Sequence, residues 1–278
     1  MTPPVFHGSI DIFRNETVSI HSYCSPMDGE FVRSQIIETP NSVVVLDVQL
    51  TRKYAREVRR YAESLNKPIE RVMVSHMHPD HWFGIEEFQD LPLYALKEVQ
   101  EQLGALGDFW IGLRKPEFGD QIPDHAIVPA HTLPEGPVTI DGVQFVFHKI
   151  EKAECITNLM VELPDFKTLL PQDLVYNNVY LFVGELHGPE RDVLCFEGWL
   201  DTLQDLKTRG FELVIPGHGE PTDSGIFDRC ITFLEAAKKV FQSTTDPEQF
   251  KAQLIERFPE YRLPLLLDFS AMTLYRLM

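Results

Sequence analysis

Four side chains able to bind a metal crowd into six positions of this chain: His76, His78, Asp80 and His81. Imidazole and carboxylate together make a ligand set suited to zinc, iron or manganese. His76 and His78 stand two apart on an extended segment, point the same way and can grip one ion. Pro79 cannot continue a helix backwards, so the chain turns there and throws Asp80 and His81 to the other side of the same pocket, where they can hold a second ion. A lone histidine pair would read as a solvated loop. Four ligand-type residues at these spacings, directly after the apolar run Val72, Met73, Val74, read as a metal site instead.

The elements that must position these residues follow from the patterning around them. Residues 10–38 alternate apolar and polar in strand fashion, with turn residues between the pieces, and residues 43–48 (VVVLDV) read as a buried strand. Residues 51–65 carry Tyr54, Val58, Tyr61 and Leu65 at helical spacing, with a solvated basic face. Residues 69–74 form the strand that delivers the metal motif. Residues 84–88 open a helix, 93–95 are a short strand and 97–106 a further helix. Residues 107–125 are irregular, and their aromatics Phe109, Trp110 and Phe118 read as a satellite core. Residues 126–133 and 138–150 return to strand patterning, with Asp141-Gly142 as a tight hairpin turn. A strand over 168–172 ends at Asp173, whose carboxylate can give one oxygen to each of two ions. Another, over 211–215, leads to His218 in a glycine-flanked loop. The tail, residues 225–278, reads as helices with Phe227, Ile231, Leu234 and Ala237 on one face, used for core packing and with room for a homodimer contact.

The run His76-Met77-His78-Pro79-Asp80-His81 resembles the HxHxDH signature of the metallo-β-lactamase superfamily, and Pro216-Gly217-His218-Gly219 resembles that family's final ligand turn. The resemblance implies an α/β fold, a four-layer αβ/βα sandwich, with the metals at the edge between two sheets. By the same resemblance residues 107–125 border a substrate pocket, the alternative to a satellite core there. No linker rich in Gly, Pro or Ser divides the sequence, which reads as a single domain over 1–278 with a helical tail from about 225. The resemblance also implies zinc as the default metal, with Asp173 as bridging ligand and Asp47 as a supporting group behind the ligands. Asp47 reads equally as a strand-end residue capping the next turn. The chain departs from the family at the third ligand of the first ion, where most relatives carry a histidine in a GHT-type turn and this chain has Lys152-Ala153-Glu154-Cys155. A glutamate there resembles the alkylsulfatase branch. Glu154 is preferred because a strand (156–163) follows it. Glu151 competes for the role, and a site lacking this ligand is the third alternative; His148 lies inside a strand.

The function implied is a metal-dependent hydrolase. His76, His78 and Glu154 hold one divalent ion; Asp80, His81 and His218 hold the other. Between the ions a bridging hydroxide attacks an ester, lactone, amide or sulfate ester of a small molecule, with Asp80 and Asp173 as catalytic groups. The carboxylate-rich set also admits manganese or iron. Two other classes stand beside it: a non-haem iron redox enzyme on the same scaffold, and a metal-stabilised binding module. Tyr176, Asn177, Asn178 and Tyr180 follow the bridging aspartate and either touch substrate or form the next turn and strand.

Composition narrows the partners. In 278 residues, 42 acidic against 25 basic side chains leave a net charge of −17, which repels nucleic acid. No apolar run reaches the length of a membrane helix, and the first residues lack an export signal, so the expected location is the cytoplasm. Cys24, Cys155, Cys195 and Cys230 form no CxxC pair and read as free thiols, with Cys155 set apart by its neighbour Glu154.

Overall fold

The computed structural model describes residues 6–188 and 191–276. Residues 1–5, which contribute to the reading that no export signal is present, and residues 277–278 at the end of the tail lie outside the described set, as do 189–190. The chain divides into two compact units, one of Met1–Lys149 with Leu159–Phe166 and one of Ile150–Asn158 with Lys167–Met278.

In the first unit, β1 (Ser9–Arg14), β2 (Ser19–Cys24), β3 (Arg33–Glu38), β4 (Val43–Leu46), β5 (Ile69–Val74), β6 (Leu93–Ala95) and β7 (His131–Thr132) follow one another in space as in sequence. The pairing is antiparallel through β4 and parallel from β4 to β7. All four residues of β4 are fully buried, the unbroken apolar run that a strand covered on both faces needs. The carboxyl ends of the parallel pair β4 and β5 lie side by side, the position where open α/β sheets place their sites. Helix α1 (Arg52–Ser64) buries Tyr54, Ala55, Val58 and Ala62, and Asn66 closes its end at φ 57°. The short helix α2 (Pro79–Trp82) follows β5.

Helix α3 (Lys97–Phe118) corrects the sequence reading, which ended it at residue 106 and treated 107–125 as irregular. Its inward stripe is Val99, Leu103, Gly107, Ile111 and Arg114, a helical spacing disguised by one residue that reads as a breaker and one that reads as solvated. Gly107 is needed on that stripe because a Cβ there would come within 2.5 Å of the Cβ of Ala126. Pro116 sits in the last turns, where one missing N–H costs about 3 kcal/mol, less than burial of this stripe returns. The strand expected over 126–133 is present only as β7.

The hairpin β8 (Gly136–Ile140) and β9 (Val143–Glu151) turns at Asp141-Gly142 with both φ angles positive, 46° and 81°, as a two-residue loop of this kind requires. β10 (Thr157–Leu163) comes next to β9 in sheet order, and in the second unit β11 (Thr168–Asn177) pairs in parallel with a late strand. The second unit also contains the small pair β12 (Leu186–His187) and β13 (Val193–Leu194), followed by α4 (Phe196–Lys207); the late strand is β14 (Leu213–Gly219). Then come α5 (Ile226–Ser243), α6 (Pro247–Arg257) and α7 (Leu265–Leu274). The expected apolar face Phe227, Ile231, Leu234 and Ala237 is buried on α5.

Two strand ends differ from expectation. β11 does not stop at residue 172 but runs on through Asp173 to Asn177, with every side chain buried. Gln172 adopts φ 52° and the pairing with β14 shifts register there, a bulge that re-aims the residue after it. β14 likewise continues through Pro216, Gly217 and His218, so His218 lies on a strand and not in a loop. Among the described residues no helix is long and apolar enough to cross a membrane.

Candidate metal centre

The first unit supplies four ligand-type residues from one short stretch. β5 ends at Val74, and the chain leaves the sheet through Ser75 and His76. Pro79 occupies the first position of α2, where its missing N–H costs nothing, and His78 is the residue before it. The turn brings Asp80 and His81 back toward His76. The rings of His76 and His78 are 4.8 Å apart, those of His76 and His81 4.3 Å, and His81 Nε2 lies 3.4 Å from Asp80 Oδ2. None of the four is more than 8% exposed, a depth at which polar groups require partners.

Asp47 organises this cluster, and the support role is the one its contacts fit. It follows β4 at φ 62° and is fully buried. Its Oδ1 accepts from the Ser75 amide at 2.7 Å; its Oδ2 meets His81 Nδ1 and the Ser75 hydroxyl, each at 2.7 Å. Ser75 Oγ in turn lies 2.8 Å from His76 Nδ1. Because the hydroxyl hydrogen goes to Asp47, Ser75 accepts from His76 Nδ1–H. One carboxylate therefore fixes the Nδ1 proton of two imidazoles and turns both Nε2 atoms toward the pocket. Sequence reasoning missed Ser75; its place between a strand end and a ligand histidine was the available signal. The loop is stapled back by Val48 N–H to the His81 carbonyl and Gly84 N–H to the Gln49 carbonyl, both 2.9 Å. A Cβ on Gly84 would overlap the Val48 carbonyl, so the close approach requires glycine.

The second unit supplies Glu154, Asp173 and His218 from three separate elements. Glu154 sits in the turn between β9 and β10 and is fully buried, whereas Glu151 is exposed. Asp173 follows the bulge in β11, and His218 Nε2 lies 3.2 Å from its Oδ2. Gly217 allows this approach, since a Cβ there would overlap Asp173 Oδ1. Tyr176 donates to Asp173 Oδ2 at 2.7 Å, and its hydroxyl is 3.4 Å from Glu154 Oε1. Of the other residues singled out after Asp173, Asn177 donates to the Glu220 carbonyl and Tyr180 to that of Phe258, both contacts internal to the fold. The Asn178 carbonyl accepts from the Arg262 amide. His148 is turned to Glu162.

Within the first unit the ligand atoms of His76 and His78, of Asp80 and His81, and of Asp47, His76 and His81 lie within 4.8 Å of one another; within the second, those of Glu154 and Asp173 and those of Asp173 and His218 do. Each unit thus gathers imidazole and carboxylate, the chemistry that a divalent transition ion takes, and in the second unit Asp173 stands beside both Glu154 and His218. The residues present therefore fit such ions. Burial pushes the Cys155 thiol well up and the charge of Glu154 adds to it, and the thiol donates to the Thr157 carbonyl. All four cysteines are buried free thiols. On α3, burial alone would lower the pKa of Arg114, but Glu30 at 2.8 Å, with Glu117 and Asp80, reverses the sign and holds the guanidinium charged. Phe118 lies against that guanidinium, Trp110 is half-buried and Phe109 is exposed, so the aromatics of 107–125 share no single environment.

The metallo-beta-lactamase superfamily model matches residues 27–218. A linear primary-alkylsulfatase from a Pseudomonas species is 23% identical over 223 residues, covering 67% of this chain and 41% of that protein. The chain thus spans less than half the length of that relative. A metallo-beta-lactamase type 2 from a Bacillus species is 23% identical over 239 residues, 82% of this chain and 83% of that protein. A solved metallo-beta-lactamase from Pontibacter korlensis superposes with a TM-score of 0.61 at 18% identity, covering 82% of this chain and 99% of that one, a likeness of fold. The matched segment spans well over half the chain and holds every ligand-type residue described above from His76 to His218: the chain belongs to the metallo-beta-lactamase superfamily and has its α/β sandwich fold.

Proposed function

We propose that the chain hydrolyses a small molecule at a dinuclear centre. His76, His78 and Glu154 would hold the first ion and Asp80, His81 and His218 the second, with Asp173 available to both. The observation that carries this reading is that Asp173 lies within 4.8 Å of both Glu154 and His218, residues assigned to different ions. Zinc is the ion of choice, with manganese and iron admitted by the carboxylates. When bound, the ions supply Lewis acidity and an acidified water.

The protein's own groups do the rest. Asp47, acting directly and through Ser75, keeps the Nδ1 protons of His81 and His76 in place, so both rings present Nε2. Asp80 and Asp173 place carboxylate oxygens where a nucleophilic water must be oriented and stripped of a proton. Glu154, in the place of a neutral imidazole, adds a negative charge, and with Asp80 and Asp173 leaves the pocket less positive than a histidine set would. The pH at which the nucleophile forms rises accordingly.

The substrate class is an ester, lactone, amide or sulfate ester; the likeness to an alkylsulfatase supports the sulfate ester and the likeness to a metallo-beta-lactamase the amide. Four buried free thiols support a reducing, cytoplasmic setting, and the net charge supports a small-molecule partner over nucleic acid. The two units act as one domain, and a homodimer contact through the helical tail remains part of the proposal.

The test is metal analysis of protein purified without added ions, followed by chelation, reloading and an assay across the four substrate classes. Two zinc ions per chain, and turnover lost on stripping and regained with zinc or manganese, are the expected results. Turnover indifferent to stripping sinks the proposal, and stoichiometric iron with a spin signal replaces it with redox chemistry.

A further inference from the structure

We propose that Tyr176 is a positioning residue that holds the three ligands of the second unit, Glu154, Asp173 and His218, in register before an ion arrives; this rests on the dinuclear reading above. Those ligands come from a turn and two strands, and one side chain touches all three. The Tyr176 hydroxyl donates to Asp173 Oδ2 at 2.7 Å and stands 3.4 Å from Glu154 Oε1. Its ring lies 4.8 Å from that of His218 at an interplanar angle of 3°, and the two residues are register partners across β11 and β14.

The need for such a group follows from charge. Glu154 and Asp173 are buried carboxylates brought to one place, and like charges in a low dielectric repel. An ion overcomes that repulsion only once bound. A neutral O–H donated to Asp173 tempers that carboxylate's charge beside Glu154 and so lowers the cost of holding the pair in the ion's absence, and stacking on His218 fixes the third ligand to the same ring. Tyr176 is 2% exposed, so it acts through the ligands and not on substrate. Tyr180, four residues on, serves as the internal contrast, because its hydroxyl goes to the Phe258 carbonyl.

The test compares wild type with Tyr176→Phe, which keeps the stacked ring and removes the O–H, with Tyr176→His, which keeps a ring carrying an N–H donor, and with Tyr180→Phe. The readouts are zinc dissociation constants of metal-free protein, by competition with a chromophoric chelator, and the visible spectrum of the cobalt-loaded protein. Tyr176→Phe is expected to weaken zinc binding about 10–100-fold, the usual effect of losing a group behind a ligand, and to shift the cobalt bands. Tyr176→His is expected to recover part of the loss, and Tyr180→Phe to leave binding and spectrum unchanged. If both Tyr176 variants bind two zinc ions with wild-type constants and superimposable cobalt spectra, the positioning role is overturned while the dinuclear reading stands. If wild type itself binds no metal, the dinuclear reading fails and this role with it.

Discussion

The two ligand clusters are built on opposite plans. In the first unit His76, His78, Asp80 and His81 come from one stretch, and an anionic acceptor, Asp47, stands behind the imidazoles. In the second unit Glu154, Asp173 and His218 come from three elements, and a neutral donor, Tyr176, stands beside the carboxylates. The difference is chemical complementarity. An imidazole becomes a ligand when its far nitrogen keeps a proton, so its support must accept; a carboxylate needs its charge tempered, so its support must donate. Local spacing sufficed for the first cluster, whereas the second needed a bulge at Gln172 and a glycine at Gly217 to bring strands close enough.

Breaking the shared ligand should have the largest effect. Asp173→Ala is expected to lower bound zinc from two ions to less than one and to abolish turnover, on the order of 10³-fold or more, because it removes a ligand from both sites. His78→Ala should spare the second ion, and metal counting on the purified variants separates the two outcomes. Equal metal content in both would mean that Asp173 is not shared.

Asp47→Ala probes the acceptor side of the comparison. It should weaken zinc binding about 10–100-fold, in proportion to the loss expected at Tyr176, and it also strands the Ser75 amide and hydroxyl. Chelator competition reads the first effect and thermal unfolding the second. Wild-type affinity would make Asp47 a strand-end cap after all.

Gly217→Ala tests close approach without removing any polar group. Its Cβ would overlap Asp173 Oδ1, so the strand pair must part or the carboxylate must move. The expected cost is about 1–3 kcal/mol of stability by denaturant unfolding, with weakened metal binding. An unchanged midpoint would show that β14 yields freely.

The smallest effect lies away from both clusters. Burial raises the Glu57 carboxyl, but hydrogen bonds from His7, Tyr23 and the Gly8 amide outweigh it and hold it below its ordinary value of 4.5. A depressed carboxyl stabilises the fold fully above the unfolded pKa, and that contribution is lost as pH falls through the folded one. Unfolding midpoints measured below pH 5 should therefore fall less steeply in Glu57→Gln than in wild type. An identical slope would remove Glu57 from the acid response.

Much of this protein was legible before folding was considered. Spacing of two residues on a strand, a proline, then a carboxylate and an imidazole constrain side-chain directions through covalent geometry, so the stretch from His76 to His81 declares a metal cluster by itself. The helical tail and the 141–142 turn were readable for the same local reason. Helix α3 was not, because its inward stripe is carried by Gly107 and Arg114, whose types signal a break and a solvated face until Ala126 and Glu30 are seen beside them. Neither was the burial of Glu154 in its turn against the exposure of Glu151 at the end of β9, three residues earlier, nor the turning of Tyr176 to Asp173 and of Tyr180 to Phe258. Sequence alone determined which residue types stand at ligand spacing, because bonds and φ/ψ limits act over a few residues. Which carboxylates are buried, and what supports each ligand, only the tertiary structure decided, because burial and hydrogen bonding depend on chain segments far apart in sequence.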